Sequence, residues 1–123
     1  MENSILTSVK KMLGMAEDYT AFDDDILIHI NSVFSTLMQL GIGPIDGFTI
    51  EDDTVEWDDY VTAGVPANEL NSVRTYVFLK LRLIFDPPQS SYFIASMERQ
   101  IAEFEWRLNV AREYALYPSE EEV

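Results

Sequence analysis

The sequence predicts a mainly α protein: a small helical bundle with a long C-terminal helical hairpin and a short loop or β-hairpin insertion. Three observations carry this. Apolar residues recur at helical spacing through four segments. The glycines and prolines fall between those segments and not inside them. One stretch, residues 44–67, abandons the helical period for two short alternating runs.

The first helix is expected from about Asn3 to Leu13, where Ile5, Leu6, Val9, Met12 and Leu13 share a face. Asn3 or Ser4 can cap it by accepting from a free backbone N–H of the first turn. Gly14 can end it. The second helix starts at "FDDDILIHINSVFSTLMQLG". Asp23 is the expected cap, and Asp24 and Asp25 then lie in the first turn, where the helix dipole favours negative charge. Ile26, Ile30, Val33, Phe34, Leu37 and Met38 form its apolar face, with His29, Ser32, Thr36 and Gln39 opposite.

In the insertion, Phe48–Ile50 and Val55–Trp57 flank Glu51-Asp52-Asp53-Thr54. They read as a small hairpin or as an irregular acidic loop. "DDYVTAG" adds a helical turn closed by Gly64. The third long segment runs from Pro66 or Asn68 to Phe85, with Leu70, Val73, Val77, Leu81 and Ile84 at helical spacing. The last begins near Ser90 or Ser91, and Ile94, Met97, Ile101, Phe104, Leu108 and Ala111 follow a seam of alternating three- and four-residue steps. Between these two helices stands Asp86-Pro87-Pro88. Each proline disfavours the helical region for the residue before it, so the third helix must stop near Phe85. A stiff corner and an antiparallel hairpin follow.

Composition narrows the function. The chain of 123 residues has no cysteine, which removes a disulfide framework, a thiol nucleophile and a zinc–thiolate site. One domain, 1–123, is expected, with 114–123 a flexible acidic C-terminal tail. No run reaches the roughly 18 apolar residues of a membrane span. The first residues lack the basic-then-apolar order of a signal peptide, so a soluble cytoplasmic protein is expected. Formal net charge is -14, which opposes binding to phosphate backbones. The charge is also divided. Between Lys11 and Arg74 there are 13 acidic residues and no Lys or Arg, whereas six basic residues follow from Arg74 to Arg112. Unlike faces on one molecule favour head-to-tail contact between copies.

Chemistry is sparse. His29 is the only histidine and reads as a solvated surface residue. Asp23, Asp24 and Asp25 point about 100° apart on a helix and cannot converge on one ion. "DGFTIEDDTVEW" lacks the spacing of a calcium loop. The carboxylates of 51–59 show no cleft that would push their pKa values apart. No catalytic residue, cofactor or metal is therefore expected, and the chain reads as a non-enzyme. Aromatic residues off the main seam, by contrast, are of the type enriched at protein interfaces. Trp57, Asp58, Asp59, Tyr60, Arg99, Arg107, Tyr114 and Tyr117 are the expected interface residues.

"FDDDILIHINSVFSTLMQLGIGP", "VRTYVFLKLRLIFDPPQSS" and "ERQIAEFEWRLN" together resemble the tailed-phage head–tail connector (adaptor) family, which also occurs in prophages of Gram-positive bacteria. The resemblance implies a structural protein of the virion neck, present in the host cytoplasm during assembly. It implies a homo-oligomeric ring beneath the portal, with the portal protein above and a stopper or tail-completion protein below. DNA passes such a ring without specific contact, and no membrane is involved. The resemblance also places Tyr114–Val123 at the portal. The alternative is an acidic DNA mimic that blocks a nucleic-acid-binding protein. Arg74, Lys80, Arg82, Arg99, Arg107 and Arg112 would interrupt such a mimic's surface.

Overall fold

A computed structural model describes residues 3–116. Helix α1 spans Ile5–Met12, α2 Asp23–Gln39, α3 Trp57–Ala63, α4 Leu70–Phe85 and α5 Ser91–Leu116. A single 3-10 turn, Ala67–Glu69, leads into α4. The expected mainly helical bundle is what forms.

Ser4 caps α1: its hydroxyl accepts from the Thr7 N–H at 3.3 Å. Asp23, expected as a cap, is instead the first residue of α2, behind Phe22. Its carboxylate is held elsewhere. Lys10 Nζ lies 2.9 Å from Asp23 Oδ1 and donates to the Glu17 carbonyl at 2.9 Å. The lysine is almost wholly buried, so it joins α1, the connecting loop and the start of α2 through one desolvated ammonium. At the other end of α2, Gly41 has φ +90°. That left-handed residue lets the Ile42 N–H reach back to the Leu37 carbonyl at 2.8 Å and turns Ile42 into the core.

The insertion is a loop, not a hairpin, because each of its alternating runs pairs outside it. Asn31 on α2 clamps Ile50 from both sides, accepting from its N–H at 2.8 Å and donating to its carbonyl at 2.9 Å. Val55–Trp57 lies against the start of the chain. The Ile5 N–H donates to Val55 O, and the Trp57 N–H to Asn3 O, both at 3.0 Å. One isolated antiparallel bridge, Ser4 to Glu56, results.

Helix α4 is the centre of the bundle and packs against α1, α2 and α5. His29 of α2 meets Phe85 at the end of α4 edge-on, with centroids 5.3 Å apart. This corrects the reading of His29 as freely solvated. Tyr76 donates to Glu105 at 2.7 Å, across the α4–α5 hairpin. Burial and the adjacent carboxylate both raise the Tyr76 pKa, so the phenol stays protonated. The hairpin seam is as expected for Met97, Ile101 and Leu108, which are buried, and Phe104 packs partly buried against the same core. Ile84 departs from expectation. It is 48% exposed, while Leu83 and Phe85 on either side pack against the core.

Asp86 caps α4 with φ -149° and ψ 61°, outside the helical region, as the following proline requires. Replacing Pro87 and Pro88 with glycine should leave the circular-dichroism helix signal unchanged. It should lower stability by roughly 0.4–1 kcal/mol per site through unfolded-state entropy. Loss of helix signal would show that the prolines do more than stiffen the corner.

Candidate assembly surfaces

Helix α3 is short, and its sequence alternates in a way that decides its orientation. Trp57 and Tyr60, three residues apart, share a face, while Asp58 and Asp59 lie on the other. Both aromatic residues are fully buried. Trp57 donates from Nε1 to Ser8 Oγ at 2.9 Å, and Ser8 donates on to the Ile5 carbonyl at 2.9 Å. Tyr60 stacks at a tilt on Phe34 and Phe48, with centroids 4.8 and 4.6 Å away. These two expected interface residues are therefore unavailable to a neighbour's side chains. The sequence signal was present: an i, i+3 aromatic pair flanked by acids marks a buried face on a helical turn.

The Tyr60 hydroxyl is buried and has no hydrogen-bond partner among the described residues, and burial raises its pKa well above the usual phenol value. Gly43, at φ +94°, passes beneath it, and a Cβ there would come within 3.2 Å of the hydroxyl oxygen. An unpaired buried hydroxyl carries a desolvation penalty. Tyr60→Phe should therefore leave stability unchanged or raise it by up to about 1 kcal/mol in urea melts. A loss of that size would mean the hydroxyl has a partner.

Asp58 and Asp59 are exposed. Asp58 accepts from the Asn3 amide at 3.1 Å. Asp59 accepts from the Glu56 N–H at 2.8 Å and so caps α3. Glu51, Asp52, Asp53 and Glu56 are exposed as well, so residues 51–59 present six exposed carboxylates. Bonds from the Thr54 side chain and backbone hold the Asp52 carboxyl below its ordinary range, so its charge persists further into acid.

Arg99 and Arg107 are exposed on α5, and Arg107 pairs with Glu103 one turn earlier. Among the described residues, no ion pair joins Asp58 or Asp59 to either arginine. Arg74 is engaged differently: its guanidinium lies 5.4 Å from the Trp57 ring and 5.9 Å from the Phe78 ring. Tyr114 belongs to the last turn of α5, inside the segment expected as a flexible tail, and Tyr117 lies outside the described residues.

The outer face of α5 was expected only through Arg99. Tyr92, Ala95, Arg99, Ala102 and Trp106 follow alternating steps of three and four and lie opposite the core seam. Tyr92 is 69% and Trp106 67% exposed. The helix thus carries apolar residues on two sides, one facing the bundle and one, with Arg99 at its centre, facing solvent.

A cleft of about 590 Å³ opens between α1 and α4 beside Ser8, Met12, Arg74 and Phe78. Ser8, a hydroxyl on the wall of this cleft, already donates to a carbonyl and accepts from Trp57. Among the described residues, no group of three or more His, Cys, Asp or Glu could hold a metal ion. No helix among them is long and apolar enough to cross a membrane.

No curated protein and no solved structure matches the chain. Residues 5–115, which run from the first residue of α1 to within a residue of the end of α5, match the family described as phage connector protein. Over nearly its whole length, then, the chain belongs to the phage connector family.

Proposed function

We propose that this chain is a non-enzymatic head–tail connector. It assembles as a ring beneath the portal and links the filled capsid to the tail. The family match over 5–115 carries this reading, since the family is a structural one. The ring contact would join the exposed carboxylates of residues 51–59 on one copy to Arg99 and Arg107 on the next. Its support is the charge division along the chain and the exposure of both sets. The partners are further copies of the chain, the portal protein, and a stopper or tail-completion protein. An assembled ring would sit in the virion neck and let DNA pass without holding it, as a chain of net charge -14 suits.

Charge reversal tests the contact. Arg99→Glu with Arg107→Glu should abolish co-sedimentation with the portal while leaving the fold intact by circular dichroism. Asp58→Lys in a mixed partner copy should partly restore it. Asp59 is the poorer choice for rescue, because losing its cap on α3 would itself cost on the order of 1 kcal/mol. Undiminished assembly by the double arginine variant would contradict the electrostatic contact.

A further inference from the structure

We propose that the outer face of α5 is a self-pairing surface: free subunits associate as a symmetric dimer, with two copies of α5 packed antiparallel through Tyr92, Ala95, Arg99, Ala102 and Trp106. Three observations identify a second copy as the occupant. First, the stripe is apolar and exposed at both ends, with Tyr92 and Trp106 each more than half accessible. Water-exposed aromatic area of this kind gains most from being covered.

Second, the stripe is complementary to itself only when reversed. In an antiparallel pair centred between Gln100 and Ile101, Trp106 of one copy lies over Ala95 of the other, and Arg99 lies over Ala102. Tyr92 then stands level with Asn109 and Val110. Trp106 and Arg99 each meet an alanine, as interdigitated helices require. Arg99 also comes level with Glu103 of the partner copy, which places opposite charges across the seam. A parallel pair would instead stack Trp106 on Trp106 and Arg99 on Arg99.

Third, charge opposes pairing little at this surface. A chain of net charge -14 repels its own copies over most of its surface. Ser91 to Val110 carries two arginines and three glutamates, so a second copy meets little local repulsion there. The paired stretch, from Tyr92 to Asn109, is about 26 Å long at the helical rise. Two helices touching over that length belong with the small, reversible interfaces, below about 1,200 Å² in total. Such a dimer hides Arg99, which the proposed ring contact also uses. Dimer and ring therefore exclude one another, and the free protein is kept from polymerising until the portal is present. The pairing itself does not depend on the portal reading.

The absence of cysteine makes the test direct. In the antiparallel arrangement the two copies of residue 102 are offset by about 4.5 Å along the axis, and those of residue 95 by about 16 Å. Ala102→Cys in the full chain should cross-link to dimer with a short bismaleimide, and Ala95→Cys should not. Cross-linking of both would mean a parallel pair, and of neither would mean no pairing through this face; either result overturns the proposal. Trp106→Ser, at an exposed position that folding does not need, should make the protein monomeric by sedimentation equilibrium and still bind the portal. If Trp106→Ser remains dimeric, the pairing proposal fails; if wild type dimerises as described but never binds the portal, the connector reading fails alone.

Discussion

Trp57→Ala is expected to destabilise the fold by about 3–5 kcal/mol, read as a fall in the urea midpoint with an unchanged slope. The indole is completely buried and touches three parts of the molecule. Its edge meets Phe34 of α2 and Phe78 of α4, with centroids 6.4 and 6.3 Å away. Its N–H reaches Ser8 of α1. Removing it opens a cavity at the junction of four helices and takes a donor away from the buried Ser8 hydroxyl. It also strips the Arg74 guanidinium of one of its two rings. Trp57→Phe keeps most of the volume but not the hydrogen bond, so it should cost less than half as much. Equal losses for the two variants would mean that the hydrogen bond, and not packing, holds this junction.

Leu108→Ala is expected to cost on the order of 2–5 kcal/mol, and it probes the other half of the bundle. Leu108 is 3% exposed and belongs to the continuous core, whereas Trp106, two residues earlier, points to solvent. Trp106→Ala should therefore change monomer stability by no more than about 0.5 kcal/mol, although it removes a far larger side chain. The contrast separates the inner seam of α5 from its outer face. A large loss at Trp106 with a small one at Leu108 would mean the helix is rotated from the orientation described.

How much of this was legible in the sequence depends on where the information was local. Helix α2 could be read from the spacing of Ile26, Ile30, Val33, Phe34 and Leu37, because each step of three or four returns to one face. The end of α4 could be read from Pro87, since the restriction it places on Asp86 is steric and acts on the adjacent residue. Long-range partners could not. Whether Phe48–Ile50 and Val55–Trp57 pair with each other depends on Asn31 and on Asn3–Ile5 competing for them. Nothing in the segment itself records that competition. Lys10 was likewise invisible. A lysine beside Lys11 reads as a solvated charge until α2 brings Asp23 against it. Trp57 and Tyr60 looked like interface aromatics because their neighbours are acidic, but on a helix those neighbours point the other way. Arg99 and Arg107 could be proposed from charge alone, and their exposure keeps them eligible.

The central claim is that the chain is a head–tail connector that assembles on a portal. Its most direct test is sedimentation of the purified chain with portal rings from the same phage, followed by symmetry analysis of the complex by electron microscopy. The account predicts a closed ring of the chain seated on one face of the portal, formed at concentrations where the chain alone stays small. A portal that sediments without the chain, at every salt and concentration at which both remain folded, would contradict it.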